Sequence, residues 1–281
     1  MAASGLVSRI WARAPFGGAF ISLALSAALG AATIFAPQSG ATESDPEDAI
    51  FGTGWGMTLA LDGTGFYNDV IKYALTGVQR GQRYMPLPYK RAKVEFAAHG
   101  RSCLYPSSIP HLLNGAEIET AHDYVETLPL IFVESHIFSR PGTEALQDFT
   151  LLAGKTIAYA NGSALPNILG QFDPIFIPTT DETTKARMLS AGRVDFMSGS
   201  LPDNIFVFEA LGEPLPAYNP DLSILKVGIG IVCHRTPENE AFVGVVNALL
   251  ENQLVRTGMK ELFENAGVAP RFFPEPPQRD E

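Results

Sequence analysis

Three short polar segments are the parts of this sequence best suited to hold a small molecule. Tyr105-Pro106-Ser107-Ser108 ends one strand-like segment, and Ser198-Gly199-Ser200 ends another. The third, Asn161-Gly162-Ser163, lies between a strand-like segment and a helix start, where free N–H groups favour an anion. Ser163 could equally serve only as a helix cap. These groups form hydrogen bonds but provide no activated nucleophile, so the pattern favours binding over catalysis.

Motifs for metal, cofactor or nucleophilic chemistry are missing from the sequence. The five histidines are scattered, and no His-x-x-x-His pair occurs. There is no Gly-x-Ser-x-Gly elbow, no P-loop and no Gly-x-Gly-x-x-Gly fingerprint. We therefore predict no catalytic residue, no metal site and no cofactor.

Two of the polar segments close a phrase that occurs twice. RAKVEFAAHGRSCLYPSS (Arg91 to Ser108) and KARMLSAGRVDFMSGS (Lys185 to Ser200) each run from a basic amphipathic stretch through Gly-Arg into a short apolar segment. Each phrase is typical of a helix, a turn and a strand. One such unit per lobe would bring a polar loop from each lobe to a shared cleft, where small-molecule sites concentrate.

The apolar periodicity predicts helices alternating with strands, which indicates an α/β fold with largely parallel sheets and ligands at the carboxyl ends of the strands. The predicted helices are Phe66–Leu75, Tyr89–Ala98, Ala164–Leu169, Thr180–Ser190, Asp203–Leu211, Pro237–Gln253 and Arg256–Glu264. The predicted strands are Ala49–Phe51, Leu59–Leu61, Ser102–Tyr105, Leu128–Val133, Lys155–Ala160, Ile175–Ile177, Val194–Met197 and Val227–Cys233.

The beginning of the chain differs from the rest. Residues 1–41 contain Arg9 and Arg13 but no Asp or Glu, then an apolar stretch from Phe16 to Ala36, and end in Ser39-Gly40-Ala41. This order predicts a cleavable secretory signal peptide and a periplasmic protein, with a retained membrane anchor as the alternative. The net charge of the 281 residues is −10. Because phosphates require Lys and Arg, the charge argues against nucleic acid as a partner.

Cys103 and Cys233 are the two cysteines of the chain, and both lie in apolar, strand-like segments. We expect two buried thiols that pack as small hydrophobic groups. A disulfide is the alternative, because an exported protein folds in an oxidising compartment.

The order of these elements resembles the periplasmic solute-binding proteins of family 3. Thr64-Gly65-Phe66-Tyr67-Asn68-Asp69 is similar to the family's "TGFxxD" phrase, and Pro88-Tyr89-Lys90-Arg91-Ala92 to "PWKRA". Leu151 to Ala158 is similar to "DLkGKtIgv", Ala191 to Asp195 to "aGRvDa", and Asn247 to Leu262 to the family's closing phrase. The resemblance covers roughly Ala49 to Gly267.

The resemblance implies a two-lobed type II periplasmic-binding-protein-like fold, with two mixed sheets joined by two crossing strands. Leu128–Val133 and Val227–Cys233 match the crossovers. The expected organisation is a signal peptide (1–41), a first part of lobe 1 (49–127), lobe 2 (128–226), a return to lobe 1 with the C-terminal helices (227–267) and a loose tail (268–281).

The ionic clamp by which the family holds α-amino acids is absent. In the family, an Arg binds the carboxylate of the ligand and an Asp binds its ammonium. In this sequence, His111 lies nearest to the position of that Arg, and Ser200 takes the place of that Asp. A solute other than a standard α-amino acid is therefore expected. The predicted ligand-binding residues come from the polar segments, from the clamp positions and from the Gly-rich loop Gly52 to Gly56, which contains one aromatic residue. They are Trp55, Tyr105, Ser107, His111, Asn161, Gly162, Ser163 and Ser200.

The resemblance implies a monomeric binding protein that passes its small-molecule solute to an ABC-transporter permease or to a membrane sensor. Two alternatives remain open. One is an enzyme on the same fold, such as a dehydratase, for which His111, Glu117 and Glu134 are the nearest acids or bases. The other is a partner-binding module whose cleft has decayed.

Overall fold

The computed structural model describes residues 48–78 and 83–275. The predicted signal peptide lies outside these residues. Among the helices described, none has the length and apolar character needed to cross a membrane.

The helices are α1 Phe66–Ala74, α2 Tyr89–Ala98, α3 Ile109–Asn114, α4 Leu165–Leu169, α5 Glu182–Ser190, α6 Asp203–Leu211, α7 Pro237–Glu251 and α8 Gln253–Asn265. The strands are β1 Ile50–Gly54, β2 Tyr84–Pro88, β3 Cys103–Ser107, β4 Tyr124–Glu126, β5 Ile131–Ser139, β6 Thr156–Ala160, β7 Ile175–Thr179, β8 Phe196–Leu201 and β9 Tyr218–His234.

The strands form two sheets that share the long strand β9. In the first sheet, β2, β1 and β3 are parallel, and the C-terminal part of β9 lies antiparallel between β3 and β4. In the second sheet, β5 pairs antiparallel with the N-terminal part of β9 and with β8, and β8, β6 and β7 are parallel. The fold is therefore the predicted one, with two mixed sheets joined through crossing strands.

The two crossing segments run side by side between the sheets. Leu130 donates its N–H to the carbonyl of Ile229 at 2.8 Å, and Thr127 donates to the carbonyl of Ile231 at 3.0 Å. Gly230 fits here because a Cβ atom at this position would lie 2.4 Å from the Thr127 hydroxyl. Since β9 belongs to both sheets, the predicted lobe boundaries stay a prediction.

Each sheet has its own apolar core. Phe51, Leu104 and Val232 of the first sheet pack against Phe96 of α2. In the second sheet, Ile137 and Ile157 pack against Leu165 and Leu169 of α4. A larger cluster connects α1, α6, α7 and α8 across the molecule. This cluster includes residues of both sheets, such as Ile50 of β1 and Met197 of β8, so apolar packing also connects the two sides of the molecule.

Several predicted elements differ in extent from the observed ones. Helices α2 and α6 have the predicted bounds, whereas β9 is 17 residues long and far exceeds the predicted Val227–Cys233. The prediction of a strand at Leu59–Leu61 is wrong, because Leu59 makes only an isolated bridge with Gly56. The short elements α3 and β4 were not expected from the sequence.

The preferred interpretation of two separate thiols is wrong. Cys103 and Cys233 form a disulfide across 130 residues of sequence. They are directly opposite each other in the antiparallel pair of β3 and β9, where facing side chains are close enough to bond. The bridge ties β3 to the C-terminal part of β9.

The prediction of a loose tail is wrong for its first part. Phe272 is 0% exposed and belongs to the main apolar cluster. The ring of Phe273 lies 5.1 Å from that of Phe263, and Arg256 donates to the carbonyl of Pro274 at 2.8 Å. The apolar residues of this segment therefore outweigh its prolines and fix it onto the C-terminal helices.

We expect the disulfide to contribute roughly 2–4 kcal/mol to the free energy of unfolding, because it restricts a long loop of the unfolded chain. Replacing Cys103 and Cys233 together with Ala should lower this free energy by that amount in urea titrations. Reducing agent should bring the wild-type protein to the stability of the variant and leave the variant unchanged. Equal stability of oxidised and reduced wild-type protein would contradict the prediction.

We expect Phe272→Ala to lower the free energy of unfolding by about 3–5 kcal/mol, because it empties a filled site in the core. Leu254→Ala is the control: Leu254 is 83% exposed on α8, so its truncation should change stability by less than about 0.5 kcal/mol. Urea unfolding of both variants measures the difference. Similar losses in the two variants would show that the tail does not contribute to the core.

Candidate functional site

A cavity of about 150 Å³ lies between the elements of the two sheets. Its wall combines residues from the first sheet and its helices with residues from the second sheet and its helices. The lining residues are Trp55, Tyr67, Tyr89, Pro106, His111, Val133, Ser135, Ala160, Ser163, Ala164, Leu165, Ile168, Glu182, Lys185, Ser198, Gly199, Ser200, Asp203, Ile224, Leu225 and Ile229. A concave site that is mostly apolar, with a few polar groups, is typical of small-molecule binding.

Asp203, at the start of α6, holds the most heavily bonded polar group of the cavity. Its Oδ1 accepts hydrogen bonds from Trp55 Nε1 at 2.9 Å and Thr58 Oγ1 at 2.7 Å. Its Oδ2 accepts one from the hydroxyl of Tyr67 at 2.7 Å. Trp55 and Thr58 lie in the loop between β1 and α1, and Tyr67 lies in α1, whereas α6 follows β8 of the second sheet. The carboxylate therefore joins the two sides of the cavity.

Burial dominates the protonation of Asp203. The residue is 2% exposed, and removal from water raises the pKa of its carboxyl to about 6, although the bonds from Thr58, Tyr67 and Trp55 act in the opposite direction. Burial and the nearby Asp203 charge also raise the pKa of Tyr67 well above its ordinary value, so its hydroxyl remains a donor.

Further hydrogen bonds cross between the two sides. The N–H of Glu182 donates to the carbonyl of Trp55 at 2.9 Å. Near α2 and α3, Lys93 Nζ donates to the carbonyl of Gly162 at 3.3 Å, and Asn167 Nδ2 donates to the carbonyl of Gly115 at 2.9 Å. The lobes are thus in contact through polar groups at the edges of the cavity.

Glu182 and Lys185 form an ion pair on α5 that also lines the cavity. Lys185 Nζ lies 2.6 Å from Glu182 Oε1. The side chain of Lys185 is 2% exposed, and that of Glu182 is 9% exposed. Buried charges of this kind are costly unless they are paired. Glu182 Oε2 is buried and has no hydrogen-bond partner.

His111, the residue that the sequence resemblance sets nearest to the missing Arg, lies on α3 and lines the cavity. Its backbone N–H donates to Ser108 Oγ at 3.2 Å, which places Ser108 as the N-cap of α3. Burial, helped by the charge of Lys93, lowers the pKa of the imidazole to about 4. The ring is therefore neutral near pH 7, and its buried Nδ1 has no hydrogen-bond partner.

The structure brings half of the predicted ligand-binding set into the cavity. Trp55, His111, Ser163 and Ser200 line it, and Ser200 Oγ lies 2.9 Å from Ser135 Oγ. Ser163 Oγ accepts only a long bond of 3.5 Å from the N–H of Leu165, and the N-cap of α4 is Ala164.

The other four members of the predicted set do not line the cavity. Tyr105 is 0% exposed, and its hydroxyl donates to the carbonyl of Tyr67 at 2.9 Å behind the cavity wall. Ser107 is buried in β3. Asn161 is exposed, and Gly162 packs against Lys90. The ligand contacts predicted for all eight residues stay a prediction.

Sequence reasoning missed the three charged residues of the cavity. Asp203 was predicted only as the first residue of a helix, and Glu182 and Lys185 were not singled out. The Pro202-Asp203 step, one residue beyond Ser198-Gly199-Ser200, was the available signal, since it also lies at the ligand edge of the sheet. Among the described residues, no group of three or more His, Cys, Asp or Glu side chains is arranged to hold a metal ion.

Asp203 and His111 have opposite effects on the pH dependence of stability. Asp203 has a folded pKa of about 6, above its ordinary 3.8, so the free energy of unfolding falls as the pH rises through this window. His111 has a folded pKa of about 4, below its ordinary 6.5, so the free energy of unfolding rises with pH through that window. The two contributions largely cancel in the wild-type protein.

We expect Asp203→Asn and His111→Gln to change this pH dependence in opposite directions. Relative to wild type, Asp203→Asn should gain stability from about pH 4 to pH 6.5, and His111→Gln should lose it, each by roughly 3 kcal/mol. Urea unfolding across this pH range measures both slopes. Parallel slopes in the two variants would contradict the burial-driven pKa shifts.

Comparisons with known proteins agree on the fold. No family model matches the sequence, and no curated protein sequence matches it. A solved structure of a mutant of ArgBP from T. maritima has a TM-score of 0.61 at 12% identity, covering 77% of this chain and 93% of that chain. A histidine kinase sensor domain with similarity to periplasmic binding proteins has a TM-score of 0.60 at 14% identity, covering 81% of this chain and 97% of that chain.

A third solved structure is the ancestral amino acid-binding protein AncCDT-1, a precursor of cyclohexadienyl dehydratase. It has a TM-score of 0.58 at 11% identity and covers 77% of this chain and 93% of that chain. At such low identity these likenesses establish the fold alone. The described part of the chain has the two-lobed type II fold of the family 3 periplasmic solute-binding proteins, as the resemblance in the sequence implied.

Proposed function

We propose that this protein is an exported, non-catalytic binding protein that captures a small solute between its two lobes. The observation that carries the proposal is the cavity to which both sheets contribute, with hydrogen bonds across its edges. Bending of the crossing strands would open the cavity, and a bound solute would favour the closed arrangement because it contacts both sides at once.

The lining of the cavity argues against a standard α-amino acid. Among the described residues that line it, none is an arginine, and Lys185 is the cation they include. The ammonium of Lys185 is already paired with Glu182. Ser200 offers a hydroxyl where the resemblance expects a carboxylate. A strong charge-assisted clamp for both ends of an amino acid is therefore missing.

Export to the periplasm is supported by the disulfide together with the predicted signal peptide. Disulfides persist in oxidising compartments, and the bridge between Cys103 and Cys233 is part of the fold. Solved structures with this fold include a substrate-binding protein of an amino acid ABC transporter and a histidine kinase sensor domain. We infer that the partner is an ABC-transporter permease or a membrane sensor, and that the protein acts as a monomer.

Binding fits the cavity better than the alternative of a dehydratase-like enzyme. Of the three acids and bases expected near the cleft, His111 lines the cavity, and its low pKa makes it a weak base. Glu117 lies 2.5 Å from Lys93 Nζ, and Glu134 lies 3.6 Å from Arg271 Nε, so both carboxylates face charged partners.

The test combines native mass spectrometry of freshly purified protein with a thermal-shift screen of the mature chain. A co-purified small molecule, or a library compound that raises the melting temperature and is recovered unchanged, is the expected result. Recovery of a converted compound would favour the enzyme instead. No ligand in either experiment would favour a decayed cleft and overturn the proposal.

A cavity-filling variant connects binding to this site. Ser198→Phe places a large ring in the cavity and should lower the affinity for the identified ligand by at least about tenfold. Thr257→Phe is the control, because Thr257 is exposed on α8 and does not line the cavity. Calorimetric titration of both variants gives the affinities. Equal affinity in Ser198→Phe and wild type would exclude this cavity as the binding site.

A further inference from the structure

Glu182 has an unusual position for an acidic residue. It is 7% exposed and lines the cavity. One carboxylate oxygen is bonded to Lys185, and the other is buried without any hydrogen-bond partner. Leaving a charged acceptor unsatisfied costs more than forming an ordinary hydrogen bond gains. A donor group of a ligand that occupies the cavity would remove this cost.

The charges of the cavity leave one negative charge uncompensated. Glu182 and Lys185 neutralise each other. Asp203 is ionised above pH 6 and receives its bonds from the uncharged side chains of Trp55, Thr58 and Tyr67. The imidazole of His111 carries no charge near pH 7. A ligand with a single positive charge would make the enclosed site neutral.

The charged pair beside the cavity does not change the net charge of the site. Lys93, next to His111, lies 2.5 Å from Glu117 Oε1, so this pair is also neutral. An anionic solute would have to approach Glu182 and Asp203, and Lys185, the cation among the described lining residues, is already paired with Glu182, so electrostatics disfavours such a solute. The charge of the cavity therefore selects against carboxylates and phosphates.

The remaining wall of the cavity suits an apolar body. Ile224, Leu225 and Ile229 contribute from β9, and Leu165 and Ile168 contribute from α4. The indole of Trp55 also lines the cavity, and aromatic faces attract organic cations. A lining that combines hydrocarbon side chains with carboxylates fits a molecule with one apolar and one cationic end.

We propose that the solute is a small organic monocation, an amine with an apolar body and no carboxylate, whose ammonium donates to Glu182 Oε2. This inference rests on the proposed function, because it names the class of solute for the same cavity. Asp203 already accepts hydrogen bonds from Trp55, Thr58 and Tyr67, so it contributes negative charge to the cavity and does not contact the ligand directly. Glu182 Oε2 has no partner and is the proposed direct contact.

The test uses three probes with equal numbers of heavy atoms: n-pentylamine, 1-pentanol and butanoate. At pH 7.5 the amine is expected to bind at least about tenfold more tightly than the alcohol, as a charge-assisted hydrogen bond predicts, and butanoate is expected not to bind. Calorimetric titration or ligand-detected NMR gives the affinities. Tighter binding of 1-pentanol or butanoate would overturn the inference and leave the proposed binding function intact.

Variants locate the contact. Glu182→Gln should weaken pentylamine binding by at least about tenfold and leave pentanol binding unchanged. Glu209→Gln is the matched control, because Glu209 is exposed on α6 and does not line the cavity. The double variant Glu182→Gln with Lys185→Met removes both charges of the pair, so no buried ammonium is left unpaired, and it should show the same loss.

The outcomes separate the two proposals. Unchanged amine affinity in a folded Glu182→Gln or double variant would overturn the role of Glu182. If none of the three probes binds while the library screen finds another ligand, the amine inference is overturned and the binding function stands. If the screen and native mass spectrometry also find nothing, both proposals are overturned.

Discussion

The cavity depends on the carboxylate of Asp203, which lies on one side of the molecule and accepts hydrogen bonds from side chains of the other side. Asp203 is buried beside β8, but its three hydrogen-bond donors, Trp55, Thr58 and Tyr67, come from the elements around β1 and α1. A buried carboxylate without these donors would be costly, and the donors would lose their acceptor if the lobes separated without water taking its place. The closed arrangement and the charge of the cavity are therefore controlled by the same group.

The crossing strands connect the two sides of the molecule. β9 runs through both sheets, and the segment from Thr127 to Leu130 follows it with hydrogen bonds to Ile229 and Ile231. The disulfide fixes β9 to β3 within the first sheet. The segment around Phe272 adds a further contact, because Arg271 lies 3.6 Å from Glu134 of β5. Under the proposed function, opening of the cavity would have to bend the crossing segments and separate these contacts.

Local patterns were sufficient for the architecture but not for the polar centre of the site. Helix α6 has its predicted bounds because its apolar spacing and the preceding proline act within a few residues. The sequence also indicated the polar loops of the cavity, and Ser163 and Ser200 do line it. Asp203 and the disulfide depend on partners more than a hundred residues away, and no periodicity encodes which strand faces which. The absence of a clamp was visible in the sequence, but the position of Glu182 in the cavity wall required the placement of α5.

The arrangement of charges suggests why closure and binding would support each other. Bringing Trp55 and Tyr67 to Asp203 also encloses Glu182, whose N–H bonds to the carbonyl of Trp55. Closure without a ligand therefore buries two carboxylates against a single ammonium, that of Lys185. A cation in the cavity lowers this cost only in the closed arrangement, because in the open one water solvates the same groups. A solute of that charge would shift the equilibrium toward closure, and a transporter or a sensor could then distinguish the loaded protein from the empty one.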